Sequence, residues 1–113
     1  MKNIGIDLIE IKKIQNIGIE KVANRIFSIK EYKIYNEINH LKRKLSFIAG
    51  RWAGKKAIFK AYQKGNLKNN YKDWSILNNK ENGFPYIENI SKPKIMISIT
   101  HSENYALAFV ILI

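Results

Sequence analysis

Apolar residues partly alternate from Asn3 to Ile9 in "NIGIDLI", and most of them are β-branched, which predicts a strand. The next stretch, "IKKIQNIGIEKVANRIF", places Ile11, Ile14, Val22 and Ile26 at helical spacing, with Gly18 interrupting. "SIKEYKIYNEIN" opens on Ser28 and has Glu31 three residues later. That is a capping-box pattern, in which hydroxyl and carboxylate satisfy orphan amides at a helix start, and it predicts a helix over Ile29–Asn39. The longest helical pattern runs from Lys42 to Lys64 and stops at Gly65. "LKNNYKD" reads as a polar loop. "WSILNN", "KENGF" and "PYIEN" then read as a hairpin in which Asn82-Gly83 supplies a positive-φ turn. "KIMISITH" and "YALAFVILI" predict two more paired strands. No repeat or linker divides the chain, so residues 1–113 read as one α+β domain. Its antiparallel sheet packs with helices, including one long central helix.

The long helix carries an unusual pattern. At about 100° per residue, Lys56, Lys60 and Lys64 fall on one stripe, and Arg51 and Lys55 on another. Leu45, Ile48, Trp52 and Phe59 lie to one side; Phe47, Ala57, Ile58 and Ala61 lie to the other. A surface helix has one apolar face, whereas this one looks buried on two sides with cations between. Solvated lysines whose stems cover apolar surface would produce such stripes. Lysines spaced four apart also repel by a few tenths of a kcal/mol per pair, and an anion along the stripe would relieve that.

Net charge sharpens the point. Twenty Lys and Arg against nine Asp and Glu leave +11, which invites a polyanionic partner. Ile, Lys and Asn supply 51 of the 113 residues, so compositional bias accounts for part of this charge and position must decide the rest. The absence of cysteine excludes disulfides and thiolate metal sites. The N-terminal stretch lacks the features of a secretory signal, and no apolar run reaches about 18 residues. No membrane association is expected, and the cytoplasm is the expected location. Aromatic residues among lysines also suit a small nucleic-acid-binding module, but no nucleic-acid motif is present and no such partner is expected.

Two further places could carry chemistry. Asp7 interrupts an apolar strand, where a buried carboxylate would need a cation or donors; a strand-end position in water would explain it equally. His101 and Ser102 close an apolar strand in "ISITHSENY", where turn chemistry involving Ser102 and Asn104 is the plain alternative.

Five blocks together resemble one family. "GIDLIEIKKI", "RIFSIKEY", "FIAGRWAGKKAIFKA", "NGFPYI" and "ISITHSENYALAFVIL" are similar, in order and spacing, to the holo-acyl-carrier-protein synthases, a group of 4′-phosphopantetheinyl transferases. The resemblance implies transfer of the phosphopantetheine arm of coenzyme A to a serine of apo acyl carrier protein, with adenosine 3′,5′-bisphosphate as the other product. It implies Mg²⁺ held at Asp7, and Lys60 acting on phosphate and leaving group. For coenzyme A it implies a site including Arg51, Lys55, Lys56, Lys60, Lys64, Asn82, Gly83, Pro85, His101 and Ser102. Lys13, Lys21 and Arg25 match a basic surface for the acidic carrier protein. The family arrangement is a homotrimer with coenzyme A between protomers.

The chain departs from that pattern at two points. Lys56 stands where the family has a metal-binding Glu, and a cation cannot ligate Mg²⁺. Gln63-Lys64-Gly65 replaces the family's Gly-Thr-Gly. Three versions follow: Mg²⁺ held by Asp7, phosphates and water, with or without Glu10; Lys56 standing in for the metal's charge; or a coenzyme A-binding relative with weak or lost activity.

Overall fold

The computed structural model describes residues 3–62, 71–88 and 95–113. The elements run β1 (Asn3–Glu10), α1 (Ile11–Ile17), α2 (Ile19–Ile26), α3 (Ile29–Asn36) and α4 (Leu41–Tyr62). A 3-10 turn (Tyr71–Asp73) precedes β2 (Ser75–Asn78), β3 (Pro85–Glu88), β4 (Ile95–His101) and β5 (Tyr105–Leu112). The antiparallel strands β1, β5 and β4 form one sheet in that order, and β2 and β3 form the hairpin. The α+β expectation holds. The helical stretch after β1 is two short helices, because Gly18 takes φ +116 between them. The capping box of α3 is complete: Ser28 Oγ accepts from Glu31 N–H at 3.2 Å, and Ser28 N–H donates to the Glu31 carboxylate at 2.9 Å. That helix ends at Asn36, three residues before the sequence suggests. The last expected residues of α4, Gln63 and Lys64, lie outside the described residues.

Helix α4 packs across β1, β5 and β4. Gly5 sets how closely it does so. A Cβ there would stand 2.0 Å from the Ala57 carbonyl oxygen and 2.8 Å from Ala61 N, so only glycine lets β1 lie against the helix backbone. From Ile48 to Ala61 nearly every α4 residue is buried, Lys56 and Lys60 excepted. The helix is therefore enclosed on more sides than a surface helix, in keeping with the two-sided apolar pattern.

The inner face of β1 carries Gly5, Asp7 and Ile9. Its outer face carries Ile4, Ile6 and Leu8, each about half exposed. Pairing places Ile4 beside Ile111 and Met96, Ile6 beside Phe109 and Ser98, and Leu8 beside Leu107 and Thr100. One whole face of the sheet is thus rich in apolar side chains that nothing among the described residues covers.

Candidate active site

Asp7 lies on the inner face of β1, 8% exposed, against α4. Its Oδ1 accepts from Lys60 Nζ at 2.9 Å, while its Oδ2 is buried without a hydrogen-bond partner. Lys60 also donates to the Ile6 carbonyl at 3.1 Å, yet its side chain remains more than half exposed. The close packing at Gly5 produces this pair, by bringing the strand within reach of the Lys60 stem. The strand-end alternative for Asp7 is excluded: the carboxylate is interior, and it meets the cation it needs.

One turn towards the N-terminus of α4 is Lys56. Helical side chains lean towards the helix start, and Lys56 Nζ lies 5.5 Å from the centroid of the Trp52 ring. Lys13 of α1 approaches the same ring at 5.4 Å. Trp52 is 6% exposed and its buried Nε1 has no hydrogen-bond partner. Trp52, Lys56 and Lys60 thus form one line along α4, with Lys13 at one end and Asp7 at the other. The cation on Asp7 is Lys60; Lys56 rests on the indole, and no carboxylate pairs with it among the described residues.

Lys55 requires correction as a ligand-binding cation. It is fully buried and donates to the Glu31 carboxylate and to the Ile26 carbonyl, the latter at 2.5 Å. Glu31, equally buried, also accepts from Ser28 N–H at 2.9 Å and Ile76 N–H at 2.7 Å. Burial pushes the Lys55 pKa down, and Glu31 opposes that shift. This ammonium joins the end of α2, the start of α3 and the hairpin, and has no surface left for a substrate.

Arg51 works in a similar way. Only 7% exposed, it stacks on Phe47 with its guanidinium carbon 4.1 Å from the ring centroid. It donates to the Ile76 carbonyl at 3.2 Å and to Asn78 Oδ1. Desolvation lowers its pKa to about 10. Asn78 in turn donates to the Gly83 carbonyl at 2.9 Å. Arg51 therefore holds the hairpin that presents Asn82, Gly83 and Pro85, and its guanidinium is mostly enclosed. Gly83 has φ +77, as its Asn-Gly turn requires.

His101 is exposed at the end of β4. Ser102 Oγ accepts from Asn104 N–H at 3.3 Å and Tyr105 N–H at 3.2 Å, so the turn chemistry suggested by the sequence is present. Lys13, Lys21 and Arg25 are all exposed on α1 and α2. Lys64 lies outside the described residues.

The chain thus gathers Asp7, Lys60, Lys56, Trp52 and Lys13. Arg51 and the hairpin stand on another side of α4, and His101 with Ser102 on the β4–β5 turn. Glu31, Trp52 and Asn78 were not singled out as partners from the sequence. A lysine inside an apolar helix face was the available signal for Glu31, because an enclosed ammonium demands a carboxylate.

The chain belongs to the 4′-phosphopantetheinyl transferase superfamily, whose family model matches residues 3–110. It is 50% identical over 119 residues to the holo-[acyl-carrier-protein] synthase of Onion yellows phytoplasma (strain OY-M), spanning 98% of this chain and 93% of that protein. It is 41% identical over 111 residues to the same-named protein of Acholeplasma laidlawii (strain PG-8A), spanning 96% and 93%. A crystal structure of a holo-(acyl-carrier-protein) synthase from Bacillus anthracis str. Ames in complex with CoA (3′,5′-ADP) superposes with a TM-score of 0.89 at 30% identity, covering 98% of this chain and 95% of that one. The Helicobacter pylori holo-[acyl-carrier-protein] synthase in complex with coenzyme A gives 0.80 at 29% identity, covering 96% and 98%.

Proposed function

We propose that this protein transfers the 4′-phosphopantetheine group of coenzyme A to a serine of apo acyl carrier protein, releasing adenosine 3′,5′-bisphosphate. The observation that carries the reading is the line of ammonium groups from Lys13 through Lys56 to Lys60, bordered by buried Asp7, in a chain similar over nearly its whole length to holo-acyl-carrier-protein synthases. Phosphoryl-type transfer asks a protein mainly to position groups and stabilise charge, and fixed cations do both. The serine oxygen attacks the β-phosphorus. The bond to the bridging oxygen breaks, its electron pair leaves with adenosine 3′,5′-bisphosphate, and the serine proton passes to solvent. Lys60 takes the phosphate oxygens. Asn82, Gly83 and Pro85, with His101 and Ser102, hold the nucleotide end.

Arg51, which holds the hairpin, leaves α4 half a turn around the axis from Lys60, nine residues on at about 100° each. That separation favours a site shared between copies. The uncovered apolar face bearing Ile4, Ile6, Leu8, Met96 and Phe109 supplies a surface for a homotrimer. Lys13, Lys21 and Arg25 receive the acidic carrier protein beside the ammonium line.

The side chains around Asp7 do not fit a magnesium ion. One carboxylate is present; Lys60 already holds its Oδ1, and only the buried Oδ2 is left without a partner. Glu10 projects from the opposite face of β1, so it cannot share an ion with Asp7. At about 6 Å, the axial rise of four helical residues, a dication and an ammonium repel by about 1.4 kcal/mol in water and about 5.5 kcal/mol at an effective dielectric constant of 20.

Incubating the protein with coenzyme A and apo acyl carrier protein, then weighing the carrier protein by mass spectrometry, tests the reaction. The expected result is a mass gain of one phosphopantetheine arm. An unchanged carrier protein, with coenzyme A nonetheless bound, would leave a coenzyme A-binding relative.

A further inference from the structure

We infer that Lys56 and Lys60 supply at the pyrophosphate the positive charge that a divalent ion would otherwise supply, so that this protein binds coenzyme A and transfers its arm without a metal. The inference rests on the reaction proposed above. Charge is the first argument. With a carboxylate at position 56, that side chain, Asp7 and Lys60 would sum to minus one, and a bound dication would raise the total to plus one. With lysine at position 56 the three side chains reach plus one unaided.

Geometry is the second argument. Lys56 and Lys60 are four residues apart on the same stripe, so their side chains leave the helix about 6 Å apart along its axis. Neighbouring phosphoryl groups can engage such a pair together. The Lys60 ammonium is already directed to the inner edge of β1 by Asp7 and the Ile6 carbonyl. The Lys56 ammonium has an aromatic ring and, among the described residues, no carboxylate to hold it, so an arriving phosphate has no ion pair to break there. Each ammonium offers up to three donors, enough for a phosphate oxygen beside its resting contacts. Lys13 on the same ring adds a third cation at the end nearest the basic helices.

Coenzyme A affinity by titration calorimetry, and transfer by mass spectrometry, each with EDTA and with added Mg²⁺, test this in the full chain. In the unmodified protein both should change by less than about threefold between the two conditions. Lys56→Glu should lose at least about tenfold in affinity in EDTA and regain it with Mg²⁺, because the substitution supplies a second carboxylate. Lys56→Gln should lose affinity in EDTA and regain little, having neither charge nor carboxylate. Lys56 is partly exposed, so these variants should keep the wild-type thermal midpoint. Coenzyme A binding or transfer that appears in the unmodified protein only with Mg²⁺ overturns the inference and leaves the proposed reaction standing. A carrier protein that gains no mass in either condition, with coenzyme A bound, overturns the proposed reaction; the affinity ratio between EDTA and Mg²⁺ then decides the charge inference by itself.

Discussion

Replacing Lys55 by methionine removes the ammonium from the buried pair with Glu31 while nearly keeping the side-chain volume. Overpacking and cavity terms are then small, and the change isolates the charge. Glu31 retains its amide donors from Ser28 and Ile76, at 2.9 and 2.7 Å, and the more distant charge of Arg51, but loses the ammonium paired with it. Breaking one side of a buried ion pair costs about 3–5 kcal/mol, a large share of the roughly 5–15 kcal/mol by which domains are stable. With a urea m value of about 1.5 kcal/mol/M, the midpoint should fall by roughly 2–3 M. Denaturation followed by circular dichroism at fixed protomer concentration measures this, since assembly would otherwise shift the midpoint. Adding Glu31→Gln in the same chain should recover only part of the loss. The bare carboxylate disappears, but Ser28 N–H and Ile76 N–H meet different oxygens of Glu31, and a carboxamide puts an NH2 against one of them. An unchanged midpoint for Lys55→Met, together with a tenfold loss of coenzyme A affinity, would mean that the ammonium serves the ligand and that the structural assignment is mistaken.

Lys60→Ala should slow transfer at least tenfold, since one charge-assisted contact to a desolvated phosphate is worth about 1.5–3 kcal/mol; wild-type turnover would make Lys60 an ordinary solvated lysine. Ile6→Glu, on the uncovered sheet face, should dissociate the assembly as measured by light scattering, and a monomeric unmodified protein at micromolar concentration would refute the shared site. Reversing the charges of Lys13, Lys21 and Arg25 together should slow carrier-protein association and flatten its salt dependence, because steering is screened over about 8–10 Å. Unchanged kinetics would place docking on another face.

Local sequence determined the elements of this protein. The Ser28–Glu31 spacing specifies a helix start because both partners lie within one turn, and Asn82-Gly83 specifies a turn because a positive φ is a property of the residue itself. The ordered motifs likewise carried the family. Helical periodicity also separated Arg51 and Lys55 from Lys56 and Lys60. Only the tertiary structure decided what each cation meets. Lys55 finds Glu31 from 24 residues away and becomes interior scaffolding, although its neighbour Lys56 stays at the surface. Lys60 reaches β1 because Gly5, far away in sequence, lets the strand lie on the helix backbone. A helical period fixes the angle at which a side chain leaves its axis. Whether water, an indole or a carboxylate waits at that angle depends on how distant segments pack, and for a lysine that contact decides between an interior ion pair and an ammonium left open at the surface.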